Sequence, residues 1–449
     1  MLVPEHAFGG AKDLPIPASL AISGGTAALV VSFCVLILAW RTPRYDTKER
    51  GRPIWPGLAR ILDSTGFKTG LRAVGFVFAG YLVWAMVAGP DLVTNPIFGV
   101  FYVILWVGIV PSSLLFGRFF RAVSPVRTLN LIFAKVTSSD PAKGLYTYPE
   151  RLGYWPASLG LFAFVWQELV NPRSAYLGAS GLYPGVTTWI VAYFLILLIG
   201  SALFGDTWLS RADPFEVYSD LLAKLSPWAR GSDGALVLRS PLANLATLKA
   251  RPGLVAVVAV LFGSTVFDSY KDTLQWLKFV SSLSINLQVI NTLGLFTSCA
   301  VIGVAFSVAT MSTGVDPDSE PGRNRWLLPQ LFGHSVVPII VGYMTAHYLS
   351  YFVEQGQITI LQLSDPMANG SNLLGTANWS VDYWLSFHPS VLASVKVLAV
   401  VAGHIVGVVA AHDRALALLP KKHQVTGQLG LLIIMVAFTG TGLYLLFGA

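Results

Sequence analysis

Eight side chains carry chemistry at positions where a hydrophobic chain rarely tolerates it. Glu168, Asp268, His334, His347, Lys396 and His404 lie inside long apolar stretches, His412 follows one of them, and His6 stands near the start of the chain. Charges and imidazoles inside membrane helices are costly, and they usually face a partner, a cavity or an ion path. Two chemistries suit these types. A carboxylate can orient or deprotonate water, and neutral imidazoles can ligate a transition metal such as zinc or copper, or a haem. The competing readings are packing and pairing. An imidazole can simply hydrogen-bond a neighbouring helix, and Glu168 or Asp268 can pair with Lys396 or Lys271.

The elements that hold these residues are membrane helices. Apolar residues make up 54% of the 449-residue chain and charged residues 12%, against about 25% charged in soluble domains. Ten stretches are long enough to span, since a hydrocarbon core needs about 20 helical residues. They cover about 18–40, 70–89, 99–117, 154–171, 185–205, 252–268, 287–312, 327–352, 389–411 and 425–448. The expected fold is therefore an all-α, polytopic integral membrane bundle in one domain, 1–449. Spans within 18–117 and 154–205 form its first half, 252–448 carries most histidines, and 353–388 is an outer cap loop without Lys or Arg.

Charge sets the orientation. Alternate gaps hold 24 Lys/Arg, and the remaining segments outside the spans hold Lys12, Arg173, Lys271 and Lys278. The positive-inside rule then places both termini outside, and it accounts for the net charge of +7 without a nucleic-acid partner. The two cysteines, Cys34 and Cys299, lie in apolar stretches and read as packing residues. The glycines of Ile22–Gly25 read as a close helix contact.

Two inner segments look alike: FGRFFRAVSPVRTLNLIFAKV from Phe116 and FGDTWLSRADPFEVYSDLLAKL from Phe204. With one inserted residue, Phe-Gly, the prolines Pro125 and Pro214, and an Ala-Lys pair coincide. This suggests duplicated helix hairpins of parallel orientation. The apolar spacing of Phe215, Tyr218, Leu222 and Leu225 predicts a short helix lying in the inner interface, basic residues toward headgroups.

Depth sorts the polar residues. At about 1.5 Å per residue, Glu168 and Asp268 sit about 22–24 Å up their spans, His347 about 30 Å up, and Lys396 about 10 Å down. These four share the outer side with His6 and His388. His334 and His404 lie about 10–12 Å above the inner edges of adjacent spans, level with each other. His412 approaches from the inner rim. No H-E-x-x-H, G-x-S-x-G, Walker A or C-x-x-C motif is present.

Several segments resemble a group of bacterial membrane proteins labelled fenitrothion hydrolase. They are EHAFGGAKDLPIP, SPVRTL, FVWQELVNP around Glu168, TVFDS around Asp268, GHSVVPIIVGYMTAHYLSYFVEQGQ and GHIVGVVAAHDRAL. The likeness covers most of the chain. It implies a bacterial inner-membrane enzyme that cleaves an organophosphate P–O–aryl bond. It carries His6, Glu168, Asp268, His334, His347, His404 and His412 as matching positions. Gln167 departs from the pattern, where an apolar residue is expected.

The leading expectation is a metal-dependent membrane enzyme acting on a lipophilic small molecule. Bound metal would polarise a phosphoryl oxygen and activate water, with Glu168 and Asp268 as catalytic carboxylates. Other classes remain: a haem- or copper-binding redox or cofactor-handling protein using His334 and His404, or a proton- or ion-coupled transporter built on the repeated hairpins. The bilayer is a partner in every case, and a second membrane or peripheral subunit is compatible with each.

Overall fold

The computed structural model describes residues 11–45, 51–171, 185–231 and 234–447. The chain is mostly helical. Among the described residues, eight helices are long and apolar enough to cross a membrane. A further helix pair, Pro96–Leu105 and Ile109–Phe116, passes the same test only when joined, and it bends by 48°. Its first part ends in a π-helical turn, Val100–Leu105, an insertion that commonly bends helices. The remaining expected span, about 154–171, is the 15-residue helix Trp155–Leu169, about 22 Å long and too short by itself to cross. The all-α expectation has one exception. Residues 52–53, 236–238 and 228–230 pair in a small three-stranded antiparallel sheet.

The helices fall into two compact units. The first comprises residues 1–49, 241–350 and 383–449, the second 50–240 and 351–382. The boundary falls within the Val337–Ser364 helix, which runs 12 residues past the expected end of its span. The segment expected as a cap loop, 353–388, is thus helical for its first third.

In the first unit, Leu254–Lys271 is the most enclosed span, together with Leu327–Ser364. It packs along Leu287–Met311, where small residues let the backbones close. A Cβ at Gly263 would lie 2.6 Å from the Cα of Cys299, so Cys299 does pack in the core, whereas Cys34 is exposed. Ala18–Ala39 lies against Leu429–Phe447 and Pro389–Leu418. Of the Ile22–Gly25 glycines, only Gly25 makes the close contact, while Gly24 meets open space. Pro338 falls in the first turn of Val337–Ser364, just after a 3-10 turn at Gly333–Val336. Its missing N–H is harmless there. Gly342, Gly403 and Gly407 form a tight crossing, since a Cβ on each would come within 2.4–2.7 Å of a facing carbonyl oxygen.

In the second unit, the two similar segments adopt the same local path. Ile109–Phe116 ends at Gly117 and Val186–Phe204 ends at Gly205. Both glycines have positive φ, 74° and 63°, conformations only glycine takes without strain. A short helix follows each, Phe119–Val123 or Asp206–Ala212. Ser124 or Asp213 then caps a helix with proline at its start, Pro125–Val136 or Pro214–Leu222.

The segments also exchange contacts. Ile109–Phe116 packs on Pro214–Leu222, and Val186–Phe204 packs on Pro125–Val136. Ser113 Oγ lies 2.8 Å from Ser219 Oγ, and Ser201 Oγ donates to Asn130 Oδ1 at 3.2 Å. The two serines stand at one equivalent position and their partners at another, so each segment gives what it receives. That reciprocity marks a two-fold relation. The interfacial expectation needs correction: nearly all of Pro214–Leu222 is buried, and Arg127 faces protein rather than headgroups.

Candidate functional site

Asp268 organises the polar centre of the first unit. It stands one turn from the end of Leu254–Lys271, and the residue is 1% exposed. His347 Nε2 lies 2.8 Å from Asp268 Oδ2, and the Tyr348 hydroxyl donates to the same oxygen at 2.8 Å. Lys271 Nζ reaches Oδ1 at 3.0 Å. A buried carboxylate needs this degree of satisfaction, because leaving one unpaired costs several kcal/mol.

The cluster extends to residues that the sequence reading missed. Ser269 Oγ is 3.2 Å from His347 Nδ1 and 3.1 Å from the Tyr343 hydroxyl. With its Nε2–H on Asp268, a neutral His347 presents the Nδ1 lone pair to Ser269. The serine hydroxyl can also donate to the Thr265 carbonyl at 3.1 Å, so its proton has two acceptors. Hydroxyl, imidazole and carboxylate form a continuous chain. Two signals were available: Asp268 and Ser269 adjoin, and Tyr343 and His347 are four residues apart on one helical face.

The other candidates are distributed differently. Glu168 is half-buried on Trp155–Leu169 in the second unit, close enough for its charge to act on Tyr218. Lys396 is buried on Pro389–Leu418, with Asp13 as a charged neighbour. Asp268 has Lys271 as its ammonium partner, the pairing weighed from sequence. His6 lies outside the described residues.

The histidines are largely engaged. His334 Nδ1 is 3.0 Å from the Leu331 carbonyl and Nε2 is 3.3 Å from that of Ala410. It thus meets the neighbouring helix six residues beyond His404, about 9 Å along the axis. His404 Nδ1 turns to its own helix, the Val400 carbonyl at 2.9 Å. The two imidazoles share no hydrogen-bond partner among the described residues. His412 spans from Gln428 Oε1 to the Trp40 carbonyl, both at 3.0 Å. Next to it, Asp413 accepts from Trp40 Nε1 and from the backbone N–H groups of Arg44 and Tyr45. Together they anchor the end of Ala18–Ala39. A cavity of about 10 Å³ beside His412 and Phe33 has room for one water.

These positions fit a metal poorly. Among the described residues, no three His, Cys, Asp or Glu side chains gather to hold one. His404 Nε2 is buried without a hydrogen-bond partner among the described residues, a single nitrogen where zinc sites use three or four ligands.

The second unit holds a different polar centre, which the sequence reading passed over as an amphipathic surface. Arg127 grips Glu216 with two hydrogen bonds, Nε to Oε2 at 2.5 Å and a terminal nitrogen to Oε1 at 2.7 Å. Each residue is second after its segment's proline, so the pair joins equivalent positions. Arg121 adds a bond to Glu216 at 3.0 Å, and Arg127 also reaches Asp206 at 3.2 Å. Arg118 pairs with Asp220. Burial raises the Glu216 pKa, opposed mainly by Arg127. Burial, then the charge of Glu216, pushes Asp213 up to about 7. The legible signal was charge: the first segment carries Arg118, Arg121 and Arg127, and the second carries Asp206, Asp213, Glu216 and Asp220.

No protein-family model, curated protein or solved structure matches this chain.

Proposed function

We propose that this is a multi-pass bacterial inner-membrane hydrolase of lipophilic esters, with phosphotriesters of the fenitrothion type as the leading substrate class. The carrying observation is the hydroxyl–imidazole–carboxylate chain of Ser269, His347 and Asp268. A serine is a weak nucleophile until an adjacent base takes its proton and a third group orients that base. Here Ser269 Oγ attacks the phosphorus or acyl carbon, and its proton passes to His347 Nδ1. The aryloxide leaves with that proton. Water then cleaves the seryl ester and restores Ser269. Asp268 holds the imidazole tautomer, and Lys271 balances its charge. Since the histidines fit a metal poorly, no step is routed through one, and neither haem nor copper chemistry is assigned.

Topology supports the choice of substrate. The Lys/Arg distribution favours both termini outside, and with the apolar run at about 154–171 also crossing, Ser269 falls near the outer interface where an apolar ester partitions. A fluorophosphonate probe tests the reading. It should label the purified protein at Ser269, with no label on Ser269→Ala. Labelling elsewhere, or none with folded protein, rejects it.

A second reading, proton-coupled transport, is favoured by one observation: the reciprocal contacts of the two similar segments, which suit duplicated hairpins of parallel orientation. Uptake of a solute driven by an imposed pH gradient in proteoliposomes would support it over hydrolysis.

A further inference from the structure

We propose that Asp213 is a proton-binding site at which the second unit takes up and releases one proton. The proposal concerns a different site from the serine chain and stands whether or not hydrolysis is the function.

The geometry is asymmetric at one carboxyl group. Asp213 is fully buried. Its Oδ1 accepts three hydrogen bonds, from the Tyr193 hydroxyl at 3.0 Å and from the backbone N–H groups of Phe215 at 3.0 Å and Glu216 at 3.3 Å. Its Oδ2 has no hydrogen-bond partner among the described residues. Among the described residues, no lysine or arginine forms an ion pair with it. A bare anionic oxygen in such a place costs far more than a bare hydroxyl. Oδ2 is therefore where a proton belongs.

Charge counting around the site agrees. Arg121 and Arg127 face Glu216 and Asp206. That is two cations against two anions, a balance complete without Asp213. Other nearby charges are already paired, Arg118 with Asp220 and Arg211 with Glu150. The groups that act on Asp213 are Tyr193 from Val186–Phe204, Arg127 from Pro125–Val136 and Glu216 from its own helix. Trp155–Leu169, packed on Asp206–Ala212 and Pro214–Leu222, brings Glu168 toward Tyr218. An ionised Asp213 would add an unmatched negative charge three residues from Glu216.

The similar segment supplies an internal control. At the equivalent position Ser124 caps its helix with a neutral hydroxyl, accepting from the Arg127 N–H. Capping therefore needs no carboxyl at this position. The acid at 213 exceeds the structural requirement, and its two backbone donors and Tyr193, which favour the ionised form, are outweighed by burial and by Glu216.

Infrared spectroscopy of the full-length protein in lipid nanodiscs, recorded as a pH titration, tests this. The expected result is a protonated-carboxyl band that vanishes as pH rises, with a midpoint near 7, and that is missing from Asp213→Asn. The amide keeps the cap but cannot titrate. Should that variant not fold, Asp213→Ser installs the residue of the equivalent cap and is read the same way. The unaltered protein gives a further check, because its thermal stability should fall as pH rises through the same midpoint. A band that persists in either folded variant, or stability that stays flat across neutral pH, overturns the proposal.

Discussion

Both units bury a carboxylate at a functional-looking place, and they treat it in opposite ways. In the first unit, Asp268 has an ammonium on one oxygen and an imidazole with a phenol on the other. Each of its oxygens has a charged or hydrogen-bonding partner, Oδ1 through ion pairing with Lys271 rather than through a hydrogen bond. Its partners come from two helices, Lys271 from its own and the adjacent His347 and Tyr348 from Val337–Ser364. In the second unit the arginines go to Glu216 and Asp206, and Asp213 keeps one oxygen bare. That centre arises by mating equivalent positions of two similar segments, one basic and one acidic. A saturated carboxylate holds its neighbours in place and suits a group that orients a base. An unsaturated one changes its own state more readily and suits a group that binds a proton.

The largest expected effect comes from removing the anchor of the second unit's centre. Glu216→Ala would leave buried Arg127 and partly exposed Arg121 around a missing partner, and stranding a buried charge costs about 3–5 kcal/mol. The protein should lose folded yield and melt far below the parent. Removing both charges, as Arg127→Met with Glu216→Met, should recover much of that loss, because no buried charge is then stranded. A double variant no better than the single one would show that the loss does not come from a stranded Arg127. Ser269→Ala makes the contrasting case: hydrolysis should fall to background while melting shifts little. A large drop in stability there would make Ser269 a packing residue.

Smaller effects sharpen the contrast through pH. Asp213 binds its proton more tightly in the folded protein than in the unfolded chain, where a carboxyl titrates near 3.8. Stability from this group is therefore complete below about 3.8 and is lost as pH rises through about 7. Glu216 is raised as well and adds a loss of the same sign. Asp213→Asn should flatten the slope without removing it, as followed by melting temperature across that window. An unchanged slope would assign it elsewhere. Smaller still, Gly407→Ala should weaken the helix crossing by about 1–3 kcal/mol through overpacking, since its Cβ would lie 2.7 Å from the Ser335 carbonyl. Thermal melting of that variant reads the effect, and an unchanged midpoint would show that the crossing can relax.

Much of the fold was legible because hydropathy is a long-window signal. The long spans fell where apolar runs placed them, and misses came where local geometry intervened. The Val337–Ser364 helix continues past its apolar stretch through Gln355, Gln357 and Gln362, which are good helix formers outside the hydrophobic pattern. The strands around 52–53, 228–230 and 236–238 are too short for any period to register. Depth brought Asp268 and His347 together correctly, since both positions follow from helical rise alone. It also set His334 level with His404, but rise says nothing about which way a ring turns, and each found a nearer carbonyl. The G-x-x-x-G spacing of Gly403 and Gly407 was the better signal in that region, marking a close crossing rather than a ligand pair. Ser269 escaped notice because serines in membrane helices commonly just bond their own backbone, as Ser269 also does to Thr265.

The central claim is that Ser269 is a nucleophile activated by His347 and oriented by Asp268. Its most direct test is the rate of covalent labelling by a fluorophosphonate, followed by intact-protein mass spectrometry on the full chain. One adduct per chain should form on Ser269, slow sharply in His347→Gln, and slow in Asp268→Asn while both variants stay folded. Labelling of Ser269 at an unchanged rate in folded His347→Gln, or no adduct on Ser269 in the parent, would contradict it.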